Sequence, residues 1–271
     1  RGQFYRNYSH NMREHEMPLN SERVEEFRNK GFIVLEGFLD ETVMEKVSAY
    51  LDKLRDNRPA EGQEAKYYEK SPATGENILV RIENVLGDNN SELGQLLLVP
   101  EAIECLTQLF GEPPILFKEK INYKLPGCRA DKLHQDHAAG WNAYGDFYIT
   151  MGIVVDENRK ENAALSFMNS GNYERKLMTE DWQPLSEDDP PYVPEDEYVL
   201  LEADPGDVVF FDSFVPHGSP PNTSDKSRRN IFLTFNKKSE GDKRAQYYED
   251  KWSNYAPNQI GNARSEESYR V

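Results

Sequence analysis

A chain of 271 residues with a 37% hydrophobic share, including 15 Tyr, 13 Phe and 3 Trp, has the apolar mass for one packed core, which excludes a wholly disordered protein. Its 48 acidic against 32 basic residues give a formal net charge of -16, a field that argues against nucleic acid and anionic membranes as partners and leans toward an amine-bearing or zwitterionic small molecule. Two cysteines, Cys105 and Cys128, cannot form a disulfide framework, and no stretch approaches the roughly 18 apolar residues of a membrane span, so a cytoplasmic monomer or homodimer is expected.

Residues 1 to 19 are polar without a clean period and read as a flexible arm. Ser21 opens a helix that Gly31 stops, 32 to 35 reads as a strand, and Asp40 caps a second helix over 41 to 56. The charged, Pro- and Gly-containing stretch 57 to 76 reads as a loop and candidate lid carrying Tyr67 and Tyr68. A strand over 78 to 82, a helix over 100 to 110 between Pro100 and Gly111, and a strand over 115 to 124 follow.

Beyond residue 140 strands dominate, at 147 to 155, 163 to 168, 198 to 202, 208 to 211 and 231 to 236. Helices gathered ahead of the strands disfavour a doubly wound α/β fold and favour a mainly β sandwich or barrel with flanking α. Residues 170 to 197, rich in proline and acid, read as an insertion over one barrel mouth, 245 to 252 as a closing helix, and 257 to 271 as a tail. One domain over 20 to 256 accounts for all of this.

The segment Leu133-His134-Gln135-Asp136-His137 carries the chemistry. Alternate residues of a strand share a face, so His134 and Asp136 can reach one ion. For a second imidazole, His10 and His15 lie in the arm and His137 faces the other way on a regular strand. His217 ends an apolar strand and a short bend. Two imidazoles and a carboxylate on one face leave the rest of an octahedron open, the arrangement in which iron(II) oxygenases receive a chelating keto acid and dioxygen. Arg228, eleven residues on, could grip the far carboxylate of 2-oxoglutarate through two hydrogen bonds, with Arg229 left as a solvated turn charge. A metal-dependent isomerase or hydrolase on the same ligands leaves Arg228 unexplained, and a jelly-roll binding module leaves the triad to coincidence.

Lys120-Ile121-Asn122-Tyr123-Lys124-Leu125-Pro126-Gly127, the His134-Gln135-Asp136 triplet, and His217-Gly218-Ser219 with Asn222 and Arg228 resemble the phytanoyl-CoA dioxygenase family, in its ectoine hydroxylase-like branch, across roughly 20 to 240. The resemblance implies a double-stranded β-helix, the cupin-like jelly roll, packed against N-terminal helices. It implies Fe(II) on His134, Asp136 and His217, with 2-oxoglutarate and O2 consumed to oxidise a C–H bond and release succinate and CO2. Arg228 and Ser219 would hold the distal carboxylate of 2-oxoglutarate, with Asn122, Trp141 and Lys120 beside it. Met168-Asn169-Ser170-Gly171-Asn172 departs from the family's Pro-Gly-Ser-His turn. Asp136 is retained where related halogenases place a small residue, so hydroxylation is expected in place of halogenation.

Polar and aromatic residues near the predicted barrel mouths are the candidates for substrate contact: Arg81, Asn84, His137, Tyr144 and Tyr67 first, then Tyr68, Glu83 and Tyr148. The acidic balance disfavours a coenzyme A thioester, whose phosphates need a basic groove, and a small metabolite is expected.

Overall fold

The computed structural model describes residues 18–56, 65–86, 92–180, 182–188, 192 and 194–257. Residues 1–17 of the expected arm, with His10 and His15, and 258–271 of the tail lie outside them. So do 57–64 of the expected lid.

Local signals set the helices. Asn20, one residue before the expected cap, accepts the Arg23 N–H at 2.9 Å to start α1 (Ser21–Lys30), and Gly31 ends it at φ 81, a left-handed turn that suits a residue without Cβ. Asp40 caps α2 (Glu41–Asp56) through the Val43 N–H at 2.9 Å. A short helix absent from the sequence reading, α3 (Glu92–Leu97), precedes α4 (Pro100–Phe110), which opens on Pro100 and closes on Gly111. The closing helix is α5 (Arg244–Asn254). Among the described residues no helix is long and apolar enough to cross a membrane.

The strands are β1 (Phe32–Leu35), β2 (Ala65–Lys70), β3 (Asn77–Glu83), β4 (Pro114–Lys124), β5 (Asp131–His134), β6 (Ile149–Val154), β7 (Ser166–Met168), β8 (Tyr198–Leu200), β9 (Val208–Asp212), β10 (His217–Ser219) and β11 (Arg228–Lys237). A seven-stranded sheet runs β1-β9-β6-β11-β4-β3-β2 and a four-stranded sheet β5-β10-β7-β8. Every strand pairing is antiparallel.

Period-two alternation sorts the large sheet into two faces. Val208, Phe210, Ile231, Leu233, Ile121 and Tyr123 pack against helix residues such as Phe27, Val47, Leu51 and Leu106. Their neighbours Val209, Phe211 and Phe232 point the other way, toward Phe167 of the smaller sheet and Leu165 and Val215, which precede its strands β7 and β10. The register Phe232↔Lys120, Asn230↔Asn122 and Arg228↔Lys124 therefore turns Lys118, Lys120, Asn122 and Lys124 of β4 inward, between the sheets.

Two expectations fail here. The stretch 65–70 is a strand paired to β3 and Tyr67 is 4% exposed, so it is no lid: cross-strand pairing and stacking with Arg81 override its charged composition. Arg229 is buried, not solvated. Its guanidinium bonds both oxygens of Asp156 at 2.9 Å, Asp52 at 3.0 Å and Ser48 at 2.7 Å, tying β11 to α2. Arg229→Ala strands Asp156 and should lower the unfolding free energy by about 2 kcal/mol in urea titrations. A change below about 0.5 kcal/mol would make these ion pairs ornamental.

Candidate metal centre and cosubstrate pocket

His134 and His217 are brought together by strand pairing. They stand opposite each other in the β5–β10 register, with ring centroids 4.4 Å apart. His134 Nδ1 lies 2.7 Å from the Lys132 carbonyl and His217 Nδ1 lies 3.1 Å from that of Val215. Each Nδ1–H donates to its carbonyl, which leaves the Nε2 lone pair free to bind a cation. Asp136 Oδ1 sits 3.3 Å from His134 Nε2 and 3.7 Å from His217 Nε2, and the three donor atoms fall within 4.8 Å of one another.

All three residues are buried, and His134 Nε2 and Asp136 Oδ1 have no hydrogen-bond partner among the described residues. Such atoms cost several kcal/mol unless a ligand completes them. Burial alone would raise the Asp136 pKa, but Lys120, His217 and His134 outweigh it and hold the carboxyl well below its ordinary range. Burial pulls His217 down to about 4, so its imidazole is neutral and ready to coordinate near pH 7. One imidazole pair and one carboxylate suit a divalent first-row metal with open coordination positions.

The geometry differs from one continuous strand. β5 ends at His134, Gln135 stays extended at φ -107, and Asp136 opens a tight turn, Asp136–Ala139. Gln135 locks this turn: its amide donates to the Lys176 and Phe214 carbonyls at 2.8 and 2.7 Å, and its oxygen accepts the Met178 N–H at 2.8 Å. His137 is removed from the centre by the turn, its Nδ1 3.2 Å from Ser213 Oγ and its ring against Phe214. Gly218 allows the close β5–β10 approach, since a Cβ there would stand 2.7 Å from the Asp131 carbonyl oxygen. The coil after β7 covers the site, with Trp182 edge-on to His134 at 5.5 Å.

At the β10 end of the interior, Ser219 Oγ accepts from Lys124 at 3.0 Å and donates to Asp131 at 3.1 Å. Arg228 is 2% exposed and its Nη2 lies 3.5 Å from Ser219 Oγ. With the Asn230 amide turned to satisfy its neighbours, its oxygen accepts from Arg228 Nη1 at 2.8 Å, while Arg228 Nε has no partner among the described residues. Burial lowers the guanidinium to about 10, leaving it charged at neutral pH. A buried guanidinium fork has the shape and charge that suit a planar carboxylate. Asn122 is half-buried and lines, with Arg81, Lys124 and Asp131, one cleft beside it.

The other expected residues scatter. Lys120 lies inward, its amine 5.4 Å from the Phe232 ring centroid, and its field reaches Asp136. Arg81 pairs with Glu83 at 3.0 Å and stacks on Tyr67. Glu83 is wholly buried. Tyr67 donates to the Tyr255 carbonyl at 3.2 Å. Asn84, at φ 58, accepts from Arg244 at 3.0 Å, and Tyr144 donates to Asp250 at 2.6 Å, so both hold α5 in place. Tyr68 is half-buried and packs on the helix side. Tyr148 and Trp141 are buried with Phe117 against Tyr247 of α5. The sequence reading missed Lys118, Lys124 and Gln135. The alternation Lys118-x-Lys120-x-Asn122-x-Lys124 on a strand carries the signal for the first two.

Residues 27–230 match the model of the family Phytanoyl-CoA dioxygenase (PhyH). The chain belongs to this family. It is 35% identical over 250 residues to the 2-aminoethylphosphonate dioxygenase of uncultured bacterium HF130_AEPn_1, across 87% of this chain and 88% of that protein. It is 32% identical over 238 residues to the methylphosphonate hydroxylase of Gimesia maris, across 88% of both. The crystal structure of EctD from S. alaskensis with 2-oxoglutarate and 5-hydroxyectoine shares its fold, with a TM-score of 0.67 at 20% identity over 85% of this chain and 80% of that one. The fold is thus the expected cupin-like jelly roll, and the protein is a non-haem iron dioxygenase that uses Fe(II), 2-oxoglutarate and O2 on a small molecule. The non-oxidative and binding-module readings fall away.

The bend that delivers His217 to this dioxygenase centre hangs on Asp212. Its Oδ1 accepts the Phe214 and Val215 N–H groups at 2.9 and 3.0 Å, and its Oδ2 accepts the Tyr173 hydroxyl of the covering coil. Burial drives its pKa up to about 6, against these hydrogen bonds and the nearby Arg175. The folded state therefore binds a proton that the unfolded chain, titrating near 3.8, releases. Stability should fall as pH rises from about 4 to 6, by on the order of 2 to 3 kcal/mol. Asp212→Asn should flatten that window in urea unfolding. An unaltered slope would remove Asp212 as its source.

Proposed function

We propose that this enzyme hydroxylates a C–H bond of a small organophosphonate, with His134, Asp136 and His217 as iron ligands and Arg228 with Ser219 as the seat of the distal carboxylate of 2-oxoglutarate. The observation that carries the reading is where the unpartnered buried atoms lie. His134 Nε2 and Asp136 Oδ1 lie 3.3 Å apart, and Arg228 Nε, opposite Lys124 in the β4–β11 register, is likewise without a partner among the described residues. The substrate class rests on the two relatives above 30% identity, each named for a phosphonate, and on an interior row of cations suited to an anionic substrate.

The overall reaction consumes 2-oxoglutarate, O2 and a C–H bond, and yields succinate, CO2 and the alcohol. Iron(II) supplies the position at which dioxygen is activated. The chain's residues hold everything else in place: backbone carbonyls fix both imidazoles with Nε2 inward, Lys120 keeps Asp136 ionised, and Arg228 keeps its charge while buried. The Trp182 ring, edge-on to His134, flanks the centre on one side. Retention of Asp136 at the third ligand position favours hydroxylation over halogenation.

Anaerobic addition of Fe(II) and 2-oxoglutarate should produce the visible charge-transfer band of a chelated keto acid. Admission of oxygen with 2-aminoethylphosphonate or methylphosphonate should then accelerate succinate release and yield a hydroxylated phosphonate by 31P NMR. Succinate release that no phosphonate accelerates would overturn the substrate class. Arg228→Met should weaken 2-oxoglutarate, titrated through the band, by about 30-fold or more, the scale on which truncating one partner of a buried charge pair acts. Unchanged affinity would show that another cation holds the carboxylate.

A further inference from the structure

The inner face of β4 has two ends with different partners. At one end Lys124 is saturated, donating to the Arg129 carbonyl at 2.6 Å, Asp131 at 2.9 Å and Ser219 at 3.0 Å. Lys120, in the middle, faces Asp136 electrostatically. Lys118, at the other end, is 1% exposed and its Nζ has no hydrogen-bond partner among the described residues.

The nearest carboxylate does not meet this need. Glu83 Oε1 is 3.9 Å from Lys118 Nζ, beyond hydrogen-bond reach, and both Glu83 oxygens already accept from Lys251, at 2.8 and 2.9 Å. Arg81 Nε adds a further ion pair to Glu83 at 3.0 Å. The Lys118 ammonium instead lies between rings, 5.3 Å from the Trp141 centroid and 5.1 Å from that of Tyr247. Cation–π contact offsets only part of the desolvation of an ammonium. The Trp141 indole Nε1, equally buried, also lacks a partner among the described residues. Two unpartnered groups meet here, and both are donors.

We propose that Lys118, with Lys120 and the Trp141 indole N–H, is the seat of the dianionic phosphonate group of the substrate. The inference rests on the phosphonate reading of the active site and gives that substrate a residue-level anchor. The strand register separates this seat from the cosubstrate's. Arg228 stands opposite Lys124 and Thr234 opposite Lys118, six residues along β4, or roughly 20 Å at the rise of an extended strand. A five-carbon diacid held at Arg228 is too short to reach Lys118. Three tetrahedrally disposed oxygens with two charges match one ammonium that has no acceptor, a second facing the metal carboxylate, and an indole donor.

The test uses the whole chain loaded anaerobically with Fe(II) and 2-oxoglutarate, and calorimetric titration with 2-aminoethylphosphonate, methylphosphonate and 2-aminoethanesulfonate. The sulfonate keeps the tetrahedral shape with one negative charge fewer. The wild type should prefer the phosphonate over the sulfonate of equal length. Lys118→Met should weaken both phosphonates by about 30-fold, reduce the preference over sulfonate, and change 2-oxoglutarate affinity by less than about 2-fold. Lys118→Arg should restore part of the loss. Glu83 keeps Lys251 and Arg81 when the Lys118 ammonium is removed, so Lys118→Met leaves no buried carboxylate unpaired and should unfold no more easily than the wild type. Trp141→Phe, which keeps a ring and deletes the N–H, gives an independent reading and should cost about 5-fold.

Lys118→Met that binds phosphonates within about 3-fold of the wild type would overturn the anchor while leaving the phosphonate substrate intact. Parallel loss of 2-oxoglutarate affinity would also overturn it, by placing Lys118 in the cosubstrate seat. A wild type that shows the charge-transfer band yet binds no phosphonate would overturn both this anchor and the substrate class.

Discussion

A cation buried away from water must meet an anion or be driven toward its neutral form, and the inner face of β4 places this demand at three of four successive inward positions, Asn122 being the exception. Lys124 answers it within the protein, through Asp131, Ser219 and a backbone carbonyl. Lys120 answers it through Asp136, and in return holds that carboxylate ionised for a metal. Lys118 stays unanswered, and burial brings it down to about 8 even with Glu83 near. The same need fixes α5. Lys251 of that helix neutralises Glu83, and Arg244 binds Glu119 and Asn84, so the helix closes the barrel by charge as well as by the packing of Tyr247 on Phe117.

The metal triad depends on pairing between strands more than on the spacing of its motif. His134 and His217 are 83 positions apart in the chain and directly opposed in the smaller sheet. Both rings are fixed by a carbonyl two residues earlier in their own segment, Lys132 for one and Val215 for the other. The bend before β10 holds the second of these in place because Asp212 collects the backbone N–H groups of Phe214 and Val215. Gln135 does the equivalent work after β5, reaching from the metal turn to Phe214 on one side and to the covering coil at Lys176 and Met178 on the other. A perturbation of either clamp moves ligands on both strands.

Residues with strong local signals were legible from the chain alone. Asp40, Pro100, Gly31 and Gly111 mark helix ends that agree with α1, α2 and α4, because capping chemistry acts within a few residues. Strands with long apolar runs, such as β9 and β11, were legible for the same reason. β2 was not, since its sequence Ala-Lys-Tyr-Tyr-Glu-Lys draws its order from cross-strand partners on β3 that a linear reading does not see. The pair His134 and Asp136 was found by assuming a regular strand. The two side chains do come together, 3.3 Å apart, but β5 stops at His134 and a turn clamped by Gln135 presents Asp136. Arg228 and Arg229 were separated correctly as one inward and one not. Neighbours on a strand must face opposite ways, although Arg229 proved to be an anchor between β11 and α2 instead of a solvated charge.

The largest divergence concerns charge. A net charge of -16 suggested a cationic or zwitterionic ligand, and the interior carries Lys118, Lys120, Lys124, Arg81 and Arg228. There is no conflict, because a net charge is a sum dominated by exposed residues and its field is screened within about 8 Å at physiological ionic strength. A buried ammonium acts at contact distance in a medium that screens far less. The acidic exterior opposes the approach of anions while the interior row rewards only those that reach it with the right shape. In the proposed arrangement two anions of different length divide the row between them. The diacid takes the planar fork of Arg228 and the tetrahedral group the separate donors of Lys118 and Trp141, with Lys120, whose field reaches the metal carboxylate Asp136, between them.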